Sequence, residues 1–176
     1  MSETHRGGTR DHRFMCFVCG RTADAFGYDC AHCAGPLLLD PEPVSASDLE
    51  PAARGGGGPW RFPALLPRTR HRVSLGEGDT PLLPLPFVRA DGRPVVAKLE
   101  SLNPSLSFKD RAMAIGASAA ADLGARGLVV ASTGNAAVSA ATYAAAAGLA
   151  CRVLVGSESR AAKKLDACRA LGAEVH

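Results

Sequence analysis

From Gly127 to the end, apolar runs of strand length alternate with alanine-rich runs of helix length, and no other feature constrains the fold as strongly. Leu128-Val129-Val130-Ala131 reads as a buried strand, with Gly127 as the stop before it. A helix pattern runs from about Ala136 to Ala147 and stops at Gly148. Cys151 to Val155 is another strand, Lys163 to Leu171 is a helix closed by Gly172, and Glu174-Val175 opens one more strand. Upstream, Gly76-Glu77-Gly78-Asp79-Thr80-Pro81-Leu82 is a glycine-rich turn before a short strand, and Val95 to Leu99 is the next strand. Strands that alternate with helices call for a parallel sheet covered by helices on both faces. The expected fold class is therefore α/β.

The stretch Asn103-Pro104-Ser105-Leu106-Ser107-Phe108-Lys109-Asp110-Arg111 opens a helix that continues through Met113, Ile115 and Ala119. Pro104 holds Asn103 extended. Ser105 or Ser107 supplies a hydroxyl that can accept from the first free N–H groups of the helix. Lys109 then falls in the first turn, where the helix dipole disfavours a cation. That field, with partial desolvation by Phe108, favours a neutral, nucleophilic amine. A neutral amine is what condensation with an aldehyde requires. A solvated lysine that happens to open a helix is the competing reading.

Twenty basic against seventeen acidic residues give a net charge of +3, too mild to argue for nucleic acid or a membrane surface. Residues 1–13 are polar, lack an apolar signal core and read as a flexible tail. The alanine-rich stretches are interrupted by Asp122, Arg126, Asn135 and Arg152, so none has the uncharged length of a membrane span. The expected location is the cytoplasm.

Cys16-Phe17-Val18-Cys19 and Cys30-Ala31-His32-Cys33 are two Cys-x-x-Cys knuckles. Each aims two thiolates at one point, and two together complete a tetrahedral four-sulfur site, so Cys16, Cys19, Cys30 and Cys33 are expected to hold a structural zinc. The short gap between knuckles fits a compact ribbon over residues 14–40, with Phe26-Gly27-Tyr28 part of a strand. Two disulfides are the competing reading, and a reducing cytoplasm disfavours them. Residues 41–59, including the glycine run Gly55 to Gly58, read as a linker. Trp60 to Leu66 is a short apolar piece expected to pack on the main body, residues 60–176.

Ser132-Thr133-Gly134-Asn135 lies at the carboxyl end of a strand and the start of a helix, where open α/β sheets bind ligands. Its N–H groups and hydroxyls suit a carboxylate, and Asn135 can hydrogen-bond a cofactor hydroxyl. Ser, Thr and Asn are also ordinary helix caps. Cys151 and Cys168 fall on apolar faces as core thiols, and His71 and His176 show no partner in the sequence.

Together these pieces resemble the type II fold of pyridoxal-phosphate enzymes, the tryptophan synthase β family. The likeness rests on the Gly76–Leu82 turn, Lys98-Leu99-Glu100, Asn103-Pro104 with Ser107-Phe108-Lys109-Asp110-Arg111, and Ser132-Thr133-Gly134-Asn135. Gly-Glu-Gly-Asp-Thr-Pro-Leu and Ser-Phe-Lys-Asp-Arg look most like the threonine synthase group, some of whose members also carry a leading cysteine-rich ribbon. The resemblance implies pyridoxal 5′-phosphate as cofactor, Lys109 as the Schiff-base lysine and proton carrier, and Asn135 on the cofactor's 3′-hydroxyl. It implies that Ser132, Thr133 and Gly134 hold the carboxylate of a small amino-acid substrate. The reaction implied is O-phosphohomoserine and water to threonine and phosphate, a lyase chemistry of amino-acid biosynthesis. A homo-oligomer is compatible with it and not specified by the sequence.

Two departures from the family pattern stand out. Leu106 occupies a position where the family usually has glycine, so a bulky side chain enters the turn before the lysine, with strain if the φ there is positive. The length is also short, so the chain is expected to be the N-terminal portion of such an enzyme and to be inactive alone, without the loop that grips the cofactor phosphate. The alternatives are a serine or threonine dehydratase, a cysteate- or cysteine-forming β-replacement enzyme, and a non-catalytic zinc-ribbon protein with a degenerate remnant of the fold.

Overall fold

A computed structural model describes residues 14–23, 29–39, 45–49, 57–67, 69–156 and 162–176. These fall into two compact units, one with the ribbon and residues 62–67, the other with residues 57–61 and 69 onward. The apolar Trp60–Leu66 piece therefore divides: Trp60 is buried in the second unit, whereas the turn Pro63–Leu65 belongs with the first. The expected tail and the Phe26–Tyr28 strand lie outside the described residues.

In the first unit, β1 (Phe14–Cys16) is flanked by β2 (Thr22–Ala23) and β3 (Leu37–Leu39), both antiparallel to it. The two knuckles repeat one backbone pattern. The N–H of Cys16 donates to Arg21 and that of Gly20 to Cys16, while the N–H of Cys30 donates to Gly35 and that of Ala34 to Cys30. The fifth residue of each knuckle turn takes a positive φ, 69° at Gly20 and 55° at Ala34. The counterpart of Gly20 is thus Ala34.

The second unit begins its sheets with a hairpin. β4 (Leu82–Ala90) pairs antiparallel with β5 (Arg93–Lys98) around Asp91-Gly92, whose φ values of 50° and 76° are those of a type I′ turn. These two strands form a sheet of their own and do not extend the parallel one, as strict alternation would suggest. The reason is local: an Asp-Gly pair between two apolar runs closes a hairpin without a crossover helix. A register shift between Leu85 and Arg89 accommodates Pro86.

The parallel sheet has the order β6 (Gly127–Ala131), β7 (Ala150–Leu154), β8 (Glu174–Val175). Three helices accompany it: α1 (Lys109–Asp122), α2 (Asn135–Ala147) and α3 (Ala162–Ala170). Gly127 belongs to β6, and the left-handed residue that ends α1 is Gly124, with φ 66°. Gly148, at φ 68°, ends α2 as expected. α2 packs against α1, α3, β6 and β7; Ala137, Ala140, Ala141 and Ala144, a spacing of three, one and three, join the apolar core, and Ser139 and Tyr143 are buried as well. These alanines pack with Cys151, Val153, Leu165 and Cys168. Burial pushes both thiols up, as expected of core cysteines.

Gly57 and Gly58, at the end of the glycine run, lie against the Glu77–Asp79 turn. The N–H of Gly58 donates to Asp79 Oδ1 at 3.0 Å. A Cβ on Gly58 would stand 1.8 Å from the Glu77 carbonyl oxygen, and φ there is +60°. Two backbones cross with no room for a side chain. Gly58→Ala is expected to destabilise the second unit by about 3 kcal/mol, the scale of a forced backbone shift. Urea unfolding followed by Trp60 fluorescence measures this, and a loss below about 1 kcal/mol would mean that the two segments separate readily.

Candidate functional site: a lysine amine at a helix start

In the first unit, the Sγ atoms of Cys16, Cys19, Cys30 and Cys33 lie within 4.8 Å of one another. Cys16 and Cys33 sulfurs are 3.4 Å apart and those of Cys19 and Cys30 are 3.8 Å apart. A tetrahedral four-thiolate zinc site with bonds of about 2.3 Å has sulfur separations of about 3.8 Å, so the set fits that ion. The knuckle backbone favours thiolates. The N–H of Cys19, aided by that of Val18, lowers the Cys16 thiol to about 6, and the N–H groups of His32 and Cys33 lower Cys30.

In the second unit, Asn103 is extended, with φ −66° and ψ 159°, as its place before Pro104 requires. The turn that follows is closed by the Leu106 N–H donating to the Asn103 carbonyl at 2.8 Å. Leu106 adopts φ +62° and is 72% exposed. A leucine thus holds a left-handed conformation that glycine takes without strain. Neither expected serine occupies the cap position, which falls on Phe108; Ser107, one residue earlier, accepts through its Oγ from the Lys109 N–H at 3.1 Å, and Ser105 turns to Asp110.

Lys109 opens α1. Its Nζ lies 4.4 Å from the centre of the half-exposed Phe108 ring. Among the described residues this amine has no hydrogen-bond or ion-pair partner. Beside it, Asp110 is fully buried and accepts from the Ser105 N–H at 2.6 Å, from the Ser105 hydroxyl, and from Ser139 Oγ at 2.5 Å. Ser139 lies one turn beyond Asn135 on α2. Asp110 therefore ties the first turn of α1 to the second turn of α2.

Ser132, Thr133 and Gly134 form the turn between β6 and α2. Ser132 Oγ accepts from the Gly134 N–H at 3.1 Å. Among the described residues, the N–H groups of Thr133, Asn135 and Ala136 have no acceptor within the chain. Three unpaired donors thus stand at the start of a 13-residue helix, where the dipole is positive and an anion could be held. Asn135 is exposed, and its Oδ1 accepts from Lys164 Nζ at 2.6 Å. Hydrogen bonds thus link α1 to α2 through Asp110 and Ser139, and α2 to α3 through Asn135 and Lys164.

Two polar networks, one buried around Glu77 and one partly buried around Glu100, brace this unit, and the sequence alone gives them no role. Glu77 is fully buried and accepts from Trp60 Nε1 at 2.8 Å, Tyr143 OH at 2.9 Å, the Leu75 N–H at 2.9 Å and Ser74 Oγ. Burial, and then the Glu77 carboxylate, push the Tyr143 hydroxyl up. Arg111 forms a two-pronged pair with Glu100, at 2.9 and 2.7 Å, and also donates to the Gly78 carbonyl. Asn103 closes this network, accepting from the Gly78 N–H and donating to Glu100. An apolar or glycine neighbour in a chain gives no hint of such partners, although a glutamate inside a glycine-rich turn is a usable signal. His71 and His176 also acquire partners, Asp122 and Glu174 respectively.

Lys109 and the unpaired N–H groups thus stand at the starts of two helices that accompany a parallel sheet. Residues 73–176 match the family model of pyridoxal-phosphate dependent enzymes, and the chain belongs to that family. It is 42% identical over 124 residues to a threonine synthase of Halalkalibacterium halodurans, covering 66% of this chain and 35% of that relative. It is 32% identical over 170 residues to a threonine synthase of Methanosarcina acetivorans, covering 93% of this chain and 42% of that relative. The chain thus spans between a third and a half of the length of these curated relatives. Among solved structures, it is similar to serine racemase from Dictyostelium discoideum, with TM-score 0.51, 26% identity and coverage of 55% of this chain and 32% of that one. A hydrogen sulfide-producing enzyme from Fusobacterium nucleatum gives TM-score 0.50 and 26% identity over 56% of this chain and 33% of that one. No helix among the described residues is long and apolar enough to cross a membrane.

The Glu100–Arg111 pair makes stability acid-sensitive. The Arg111 hydrogen bonds hold the Glu100 carboxyl at about 2, below its ordinary 4.5. The folded value is the lower one, so the pair's contribution is complete above pH 4.5 and is lost as pH falls toward 2. Urea midpoints measured across that interval should fall, and Glu100→Gln should be less stable at pH 7 with a flatter acid profile. Equal slopes in both proteins would remove Glu100 as the cause.

Proposed function

We propose that this chain carries the amine-bearing part of a threonine synthase-type pyridoxal-phosphate site, joined to a structural zinc ribbon. The observation that carries the reading is the Lys109 amine, without a hydrogen-bond or ion-pair partner among the described residues, on a helix that Asp110 ties to α2, whose first N–H groups are unpaired. Pyridoxal phosphate, when bound, supplies an aldehyde for a lysine and a ring that accepts electrons from a substrate's α carbon. Lys109 would hold that aldehyde and would move protons at its Nζ. Asn135 would meet the 3′-oxygen. Ser132, Thr133 and Gly134, with the unpaired N–H groups around them, would hold the substrate carboxylate. Asp110 and Arg111 keep the backbone around Lys109 in place, and Glu77 holds the glycine-rich turn that Arg111 meets.

Threonine synthesis from O-phosphohomoserine is favoured over the racemase, dehydratase and β-replacement chemistries of the wider family for two reasons. The Gly76–Leu82 turn and Ser107–Arg111 stretch have the threonine synthase pattern. The Methanosarcina relative matches 93% of the chain, and the uncovered 7%, about 12 of 176 residues, is too short to leave the ribbon out. A retained, accessible Lys109 also speaks against a decayed remnant. The reading places the protein in a soluble cytoplasmic pathway of amino-acid synthesis.

Borohydride reduction with pyridoxal phosphate, followed by peptide mapping, should place the pyridoxyl label on Lys109, and Lys109→Ala should abolish it. A label on Lys98, Lys163 or Lys164 would sink the assignment. Adding O-phosphohomoserine should shift the N–H signals of Thr133, Asn135 and Ala136 in nuclear magnetic resonance spectra. A larger response to serine would move the reading toward a dehydratase.

Metal analysis of the purified chain should find about one zinc, lost on Cys→Ser at Cys16, Cys19, Cys30 or Cys33. The second unit should keep its cooperative unfolding in those variants. A folded ribbon without metal would contradict the zinc reading.

A further inference from the structure

We propose that Lys164 is a positioning residue that fixes the Asn135 amide with its Nδ2 donor outward, so that this corner of the site accepts an anionic oxygen. The proposal rests on the pyridoxal-phosphate reading above and extends it to a residue on α3.

An asparagine offers one acceptor and one donor group, and by itself it can present either to a ligand. Lys164 removes that freedom. Its ammonium lies 2.6 Å from Asn135 Oδ1. An ammonium has no acceptor capacity, so only the Oδ1-inward orientation of the amide is compatible with it. Nδ2 then faces away, and among the described residues it has no partner. The bond to a cation also polarises the amide and strengthens Nδ2 as a donor. A donor next to a fixed positive charge selects an acceptor that carries negative charge, and the deprotonated phenolic oxygen of pyridoxal has that chemistry.

The placement of Lys164 has no evident structural purpose. It sits in the first turn of α3, where the helix dipole opposes a cation. It is exposed and forms no ion pair among the described residues. Its neighbour Leu165 and, one turn on, Cys168 are buried in the core shared with α2. That packing holds the helix and delivers the ammonium to Asn135.

The test has two arms on the 176-residue chain. In the cofactor-free protein, the Asn135 side-chain amide is observed by nuclear magnetic resonance. Lys164→Met should move that signal, and Lys164→Arg, which also only donates, should restore it. In the second arm, labelling of Lys109 is measured against pyridoxal phosphate concentration after borohydride trapping. Lys164→Met should need about tenfold more cofactor for half-labelling, the scale of one charge-assisted hydrogen bond. Lys164→Arg should stay within about threefold of the parent, since it keeps the donor. On an Asn135→Ala background Lys164→Met should have no further effect, because the two residues act as one unit. If Asn135→Ala weakens labelling and Lys164→Met neither does so nor moves the amide signal, the proposal is overturned while the cofactor reading stands. If the parent chain does not label at Lys109, or Asn135→Ala leaves the curve unchanged, the cofactor reading itself fails and takes this proposal with it.

Discussion

The buried carboxylate of Asp110 is the interaction on which the site depends. It lies in the first turn of α1, where the helix dipole favours a negative charge. It has no cation among the described residues and is satisfied instead by the N–H and hydroxyl of Ser105 and by the hydroxyl of Ser139. A buried acceptor is costly unless its partners stay in place, so the carboxylate clamps three segments at once. It fixes the turn that precedes Lys109, the first turn that carries Lys109, and the helix that begins with Asn135. The helix that begins at Lys109 and the helix that begins at Asn135 are both tied to this one group.

Glu77 plays the matching part behind the site. A carboxylate drawn into the interior needs several donors, and it recruits them from four places: Trp60, Ser74, Leu75 and Tyr143. The Glu77–Asp79 turn is then held against Gly58, and Gly78 is held by Asn103 and Arg111. Arg111 also pairs with Glu100, so the glycine-rich turn, the 3₁₀ turn at Glu100–Leu102 and α1 form one polar network. The alanine-rich faces of α1 and α2 suit this arrangement. They let polar groups meet at short range where larger side chains would keep the helices apart.

Leu106 shows how much strain this framework carries. Its neighbours Asn103, Ser107 and Asp110 are all buried and hydrogen-bonded, so the backbone between them has one path. That path requires a left-handed residue, and the leucine is carried along in it with its side chain toward solvent. Ala34 in the ribbon is a parallel case, since the knuckle pattern requires a positive φ at that place whether or not glycine supplies it.

Much of the parallel sheet, its helices and the glycine stops at Gly148 and Gly172 were legible in the sequence, because each follows from short-range rules of hydrophobic period and left-handed glycine, whereas the stop of α1 lies at Gly124 and not at Gly127. The two Cys-x-x-Cys turns and the helix-start position of Lys109 were legible for the same reason. The separate β4–β5 hairpin was marked by Asp91-Gly92, a signal of equally short range that the alternation of strands and helices masked. Tertiary structure alone decided the rest. Which helix carries Ser139 to Asp110, which phenol and indole reach Glu77, and that Lys164 meets Asn135 across 29 positions are consequences of packing. Local sequence determines where a backbone turns and which groups it exposes, whereas a buried polar group finds its partners only after the chain has folded around it.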